Sequence, residues 1–171
     1  MMSLRYPLRL TLMLSLGACQ GTVPIEIRES APGSPNLSEA REKVRAFDGV
    51  RVRWGGTIVS VKNRENDTLI EILGKALGSD GEPVAADDTL GRFMVRVEGF
   101  LDPAIYRPNR DVTVYGRLEK PTERTVGERP YTFPVVQSQT LHLWPDKPDY
   151  YRRDGGPNIR FGIGVGVGFG D

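Results

Sequence analysis

Apolar and polar residues alternate along 50–62, VRVRWGGTIVSVK, the longest run of this kind in the chain. Because successive side chains of a strand point to opposite faces, the run predicts a strand with one buried face. That face carries Val50, Val52 and Trp54. Ile58 and Val61 reach the same face only if the strand bends. The pair Gly55-Gly56 predicts that bend, since glycines inside a strand are typical of a bulge or a barrel corner.

Further strands are predicted where apolar residues alternate or β-branched residues cluster. These segments are 68–73, 92–97, 111–118 and 133–144. A short helix is predicted from residue 37 to about 44, capped by Asn36 or Ser38, and Asp102-Pro103 predicts a helical turn that plugs one barrel end. The pattern therefore favours a mainly β domain, a small five-stranded OB-like partly open barrel with a short N-terminal helix. A small β-sandwich is the alternative.

Composition agrees with one strand-and-turn domain plus terminal extensions. The chain has 171 residues, with 20 glycines and 13 prolines. Its 23 Lys and Arg residues nearly balance 22 Asp and Glu residues, so no strong positive field favours nucleic acid as a partner. A single cysteine excludes an intramolecular disulfide.

The N-terminus has the order of a secretory signal peptide. Arg5 and Arg9 precede or flank an apolar stretch too short to span a bilayer, and small residues follow it. The sequence LGAC, ending at Cys19, resembles the lipobox of bacterial lipoproteins. The resemblance implies cleavage before Cys19 and acylation of that residue, which would anchor the protein to the membrane. Gln20, where an Asp commonly marks inner-membrane retention, implies the outer membrane. The alternative is an ordinary signal peptide followed by a free thiol.

These features divide the chain into four predicted parts. They are a lipoprotein signal peptide at 1–18, a tether at 19–35 that holds the domain off the lipid, the β-barrel domain at 36–145 and a Pro/Gly-rich tail at 146–171. The tail alternates apolar residues with glycine from 161 to 170. It can be a flexible tail, a strand added to a sheet or a membrane-inserted segment.

Residues that carry chemistry are sparse. Four arginines at outward positions of predicted strands form a candidate ligand face, whose alternative is an ordinary solvated surface: Arg51, Arg53, Arg92 and Arg96. The acidic residues of the 74–91 loop lack calcium-ligand spacing, so no metal site is predicted. His142 is the only histidine, and no Ser, His and Asp arrangement or phosphate-binding loop can be assembled around it. We therefore expect no enzyme, no cofactor and no catalytic residue.

Several motifs occur in the order typical of a known family. They are VRWGG at 52–56, GRF at 91–93, GFLDP at 99–103 with Tyr106, VTV at 112–114 with Gly116, FPV at 133–135 after Tyr131, and HLWP at 142–145. With the lipobox, they resemble the Slp family of outer-membrane lipoproteins, named for a starvation-inducible member. The resemblance implies a lipid-anchored protein of the outer membrane with a stress-linked role, and we expect the domain to face the periplasm. It carries no reaction or ligand to any residue.

The function predicted from these observations is an envelope binding or structural module without enzymatic activity. Its expected partners are the membrane, through Cys19, and an envelope protein or a glycan. The alternative functions are an envelope enzyme and an OB-type domain that binds a small molecule or a glycan.

Overall fold

The structure, a computed structural model, describes residues 23–146. Three short helical segments precede the sheet: α1 at Ile25–Arg28, α2 at Leu37–Glu42 and a 3-10 turn at Val44–Phe47. Five strands follow: β1 at Arg51–Asn63, β2 at Asp67–Lys75, β3 at Gly91–Glu98, β4 at Asp111–Val126 and β5 at Arg129–Leu143. The predicted lipidation site Cys19 and the glycine-rich part of the tail lie outside the described residues.

The five strands form one sheet that closes on itself in the order β1-β2-β3-β5-β4. Neighbouring strands are antiparallel except β3 and β5, which run parallel over three residue pairs, from Met94↔Val135 to Arg96↔Gln137. The mainly β class and the five strands are confirmed. The ring is closed, whereas the sequence predicted a partly open barrel, and the OB-like label stays a prediction.

The bulge of β1 does not lie at the glycine pair that predicted it. The register with β2 is continuous through Gly55 and Gly56 and shifts between Ile58 and Ser60, so the extra residue is Val59. This extra residue moves Val61 to the inner face, where it packs against the core. The glycines serve close approach instead, because a Cβ on Gly56 would lie 2.0 Å from the carbonyl oxygen of Leu73.

The inner face of the ring holds the main core. Trp54 and Phe93 meet edge to face at its centre, with ring centroids 5.4 Å apart. The other buried members are aliphatic: Leu37, Ala40, Val52, Ile58, Ile70, Ile72, Val95, Val112, Val114, Leu118 and Val136. Leu37 and Ala40 come from α2, so this helix covers one part of the core. Leu101 and Tyr106, from the turn predicted at Asp102-Pro103, pack against the main core.

A second apolar cluster lies on the outer face of the sheet. Leu69 and Met94 point away from the main core on β2 and β3, and the β4–β5 hairpin covers them with Phe133 and Val135. Tyr131 extends this contact, because its hydroxyl accepts a hydrogen bond of 2.8 Å from the backbone N–H of Arg92. The hairpin is therefore packed onto the ring beside the short parallel seam between β3 and β5.

Residues 24–35, expected within a tether, pack on the ring. Ile27 is fully buried and Ala31 is 7% exposed. The indole N–H of Trp54 donates a 3.0 Å hydrogen bond to the carbonyl of Pro35. The described part of this stretch is therefore fixed to β1 by apolar side chains and backbone carbonyls, and its role as a tether that holds the domain off the lipid stays a prediction. Within 23–146, no helix has the length and apolar character needed to cross a membrane.

Candidate functional site

The candidate site is a pocket between the N-terminal segment, β1 and the stretch that follows β2. Its volume is about 310 Å³, close to the lower limit of about 300 Å³ for small-molecule sites. Backbone and side chains of three chain regions line it: Ser30, Ala31, Ser34, Pro35, Asn36, Leu37, Arg53, Trp54, Gly55, Lys75, Ala76, Leu77 and Leu90.

The lining combines apolar surface with positive charge. Leu37, Leu77 and Leu90 supply aliphatic surface, and Arg53 and Lys75 supply two cations. None of the lining residues found within the described chain is a carboxylate. A pocket of this composition can accept a small molecule that has an apolar body and a negative group, because the cations compensate the charge and the leucines cover the body.

Arg53 holds the wall of the pocket in place. Its Nη1 donates hydrogen bonds of 3.0 Å to the carbonyl oxygen of Ile27 and 2.6 Å to that of Arg28. Its Nη2 donates to the hydroxyl of Ser30 at 3.3 Å. Burial lowers the pKa of the Arg53 guanidinium, which nevertheless remains charged at neutral pH. Arg53 therefore fixes the N-terminal segment and contributes charge to the pocket at the same time.

Lys75 is the cation with the weaker protein contacts. It ends β2, opposite Gly55 of β1, and its Nζ lies 4.0 Å from a carboxylate oxygen of Asp111. That distance is the outer limit of an ion pair and beyond hydrogen-bond length. The Lys75 ammonium can therefore turn toward a ligand anion without losing a strong internal bond.

The four arginines predicted as one ligand face are not brought together. Arg53 lines the pocket, and Arg51 is exposed on β1 opposite Arg117 of β4. Arg92 pairs with Glu71 of β2. Arg96 contacts two carboxylates, Asp67 of β2 and Glu119 of β4, each at 3.0 Å. Arg92 and Arg96 thus act in ion pairs across the outer sheet surface, separate from the pocket.

Sequence reasoning missed Lys75 and the serines of the N-terminal segment. Lys75 follows Gly74 at the end of a strand, and Ser30 and Ser34 lie in a stretch without periodicity, so no local pattern distinguishes them. Ser30 meets Arg53 because residues 24–35 fold back on β1, and Lys75 lies beside β1 because β2 pairs with it at Gly55. The alternation that placed Arg53 outward was the only signal in the sequence that led to the site.

His142 is placed as a packing residue. Its ring contacts Trp144 edge to face, with centroids 4.5 Å apart. Burial lowers the pKa of His142, and the negative charge of Glu82 opposes this shift in part. No group of three or more His, Cys, Asp and Glu side chains with metal-site spacing occurs within residues 23–146.

Comparisons with known proteins agree on one family. The chain matches the family described as "Outer membrane lipoprotein Slp family" over residues 16–161. It is 33% identical over 135 residues to "Uncharacterized lipoprotein YeaY" of Escherichia coli K12, covering 78% of this chain and 69% of that protein. It is 31% identical over 139 residues to "Outer membrane protein Slp" of the same organism, covering 79% and 72%.

Proposed function

Because the chain belongs to the Slp family of outer-membrane lipoproteins, we propose that it acts as a lipid-anchored binding module without enzymatic activity. The anchor is a lipid on Cys19, the only cysteine of the chain. Two or more acyl chains suffice for stable anchoring, at about 0.8 kcal/mol per buried methylene. The module faces the periplasm in this proposal.

The ligand is a small amphiphilic anion held in the pocket beside Arg53 and Lys75. The observation that carries this proposal is the pairing of two cations with leucine surface in a cavity of about 310 Å³. A carboxylate or phosphate group would contact the Lys75 ammonium, and the apolar body would cover Leu37 and Leu77. The hydroxyls of Ser30 and Ser34, which bond Arg53 and the carbonyl of Pro35, add polar surface that would favour a ligand with a polar head.

The packing and position of His142 support the proposed absence of enzymatic activity. Burial lowers its pKa and its ring packs on Trp144. A general base needs a substrate proton within hydrogen-bond reach, and His142 is not among the residues that line the pocket. The pocket itself offers cations and hydroxyls, which can hold an anion and orient it.

The affinity of the pocket can be measured with octanoate, using octanol as the uncharged probe of the same chain length. We expect octanoate to bind more tightly, and the substitution Lys75→Gln to weaken it by about tenfold, the order expected for one charge-assisted hydrogen bond. Lys62→Gln, on β1 and outside the pocket, is the control. Titration calorimetry on the acylated protein in detergent gives the affinities. Equal binding of octanoate and octanol would contradict the proposal.

The stress-linked role is a further part of the proposal and rests on the family resemblance. We expect the protein to accumulate when cells of its own organism are starved. Quantitative immunoblotting of growing and starved cultures measures this, and a constant level in both would contradict it.

A further inference from the structure

We propose that the side of the domain formed by α1 and the loop at 77–84 rests on the outer-membrane bilayer, with Ile25 and Val84 in contact with lipid. This inference depends on the proposed lipid at Cys19, and it adds an orientation to it. The domain is then seated directly on the membrane and does not swing on a long tether.

The first argument is the length of chain between the anchor and the folded domain. α1 begins at Ile25 and its N-cap is Pro24, five residues after Cys19. Fully extended residues span at most about 3.6 Å each, so the Cα of Pro24 lies within about 18 Å of that of Cys19. The region around α1 therefore cannot lie far from the lipid headgroups.

The second argument is that α1 is fixed to the ring. Ile27 is fully buried, and Arg53 of β1 bonds the carbonyls of Ile27 and Arg28. The backbone of Gly81 packs so closely that a Cβ there would lie 2.1 Å from the carbonyl oxygen of Ile27. Because α1, β1 and the 77–84 loop are joined by these contacts, the short anchor orients the whole ring.

The third argument is the position of exposed apolar side chains. Ile25, on α1, is 53% exposed, and Val84, the last residue of the 77–84 loop, is 42% exposed. Glu26 and Glu29 are also exposed on this segment. Charged carboxylates stay in water, so the contact is shallow: Ile25 and Val84 reach the interface while α1 itself stays outside the hydrocarbon.

A second exposed apolar pair provides the control surface. Phe100 and Ile105 are 71% and 52% exposed. Their loop is held by Asn63, whose side-chain amide donates to the carbonyl of Leu101 at 3.0 Å. The side formed by α1 and the 77–84 loop lies near Gly55 of β1. Gly55 pairs with Thr113 of β4, and the Thr113 hydroxyl donates a hydrogen bond to the carbonyl of Gly81. Gly55 and Asn63 are eight residues apart on β1, so the control surface is separated from the α1 side by up to about 26 Å along the strand.

Single-cysteine labelling tests the orientation, because the lipid on Cys19 blocks the only native thiol. Ile25→Cys, Val84→Cys and Phe100→Cys are made in the full acylated chain and labelled with an environment-sensitive fluorophore. Each is reconstituted in vesicles of phosphatidylethanolamine and phosphatidylglycerol that carry a lipid-attached quencher. We expect loss of emission at positions 25 and 84, and emission at position 100 that only a water-soluble quencher reduces.

The outcomes distinguish the proposed orientation from the proposed lipid anchor at Cys19. Mass spectrometry of the same samples reports whether Cys19 carries lipid, and an unmodified thiol would overturn the proposed anchor. If Cys19 is acylated but the lipid quencher acts mainly at position 100, the orientation is wrong and the anchor stands. Labels at 25 and 84 shielded from both quenchers would indicate that this side contacts a second copy of the chain, which also overturns the inference.

Discussion

Two arginines of β1 have different roles in this protein, because their side chains meet different neighbours. Arg53 and Arg51 lie two residues apart on the outer face of β1. Arg53 bonds two backbone carbonyls and a hydroxyl, whereas Arg51 has no ion pair or side-chain hydrogen bond within the described part of the chain. Arg51 also lies opposite Arg117, a like charge on the neighbouring strand, which weakens that cross-strand pair. Residue type and the alternation along the strand are the same for both arginines, so the sequence alone does not distinguish their roles.

At the same scale, His142 makes stability depend on pH in a predictable direction. Burial lowers its pKa in the folded protein below the ordinary value of 6.5. The unfolded chain therefore binds a proton first as the pH falls, and the free energy of unfolding decreases from about pH 7 downward until the folded form also titrates. His142 is the only histidine, so few other groups titrate in this range.

Denaturation in urea at pH 7.5 and at about pH 5.5 measures this effect. We expect the wild type to lose stability between these two values and His142→Gln to lose less, although the variant is less stable throughout because its contact with Trp144 is changed. Parallel losses in the two proteins would show that His142 is not responsible.

At the scale of elements, the closure of the ring depends on a hairpin rather than on a long ladder. β3 and β5 pair over only three residue positions. The hairpin of β4 and β5 adds apolar contact beside this seam through Phe133 and Val135, which cover Leu69 and Met94. The outer cluster therefore stabilises the weakest ladder of the sheet.

The substitution Phe133→Ala tests this arrangement. Phe133 is 1% exposed, so we expect the free energy of unfolding to fall by about 3–5 kcal/mol, the range for a buried phenylalanine. Amide exchange should accelerate most in the β3–β5 ladder, at Val95 and Val136. Phe100→Ala is the matched control, because Phe100 is 71% exposed and its loss should change stability by no more than about 0.5 kcal/mol. Uniform acceleration across all strands would contradict a local role for the cluster.

At the scale of the whole molecule, the folded unit begins earlier than the composition indicated. Residues 24–35 contribute Ile27 to the buried interior, a carbonyl to the Trp54 indole and one wall of the pocket. The described part of the predicted tether is therefore structural.

Truncation provides the corresponding measurement. We expect a chain that begins at Asn36 to be less stable in urea than one that begins at Val23, by at least about 2 kcal/mol. Burial of one isoleucine accounts for about 1.5–3 kcal/mol, and further hydrogen bonds are lost with it. Ile25→Ser in the longer chain is the control, because Ile25 is 53% exposed. Equal urea midpoints of the two chains would show that the docking of 24–35 does not stabilise the domain.

The sequence by itself determined the class of fold, the family and the location. Alternation and β-branched residues identified five strands because side-chain direction in a strand has a period of two, a property of the local backbone. Ordered motifs from VRWGG to HLWP indicated the Slp family, and the family match confirms it. The sequence also offered Asn36 and Ser38 as helix caps, and the structure selects Asn36, whose side chain accepts from the N–H of Glu39 three residues away.

Only the tertiary structure decided the closure of the ring, the bulge after Ile58, the docking of 24–35 and the pocket. Each depends on contacts between residues distant in the chain, such as Arg53 with Ile27 or Lys75 with Gly55. A local pattern records whether a side chain points inward or outward, but not what it meets there. The pocket beside Arg53 is formed by residues of three regions, which only the fold brings together.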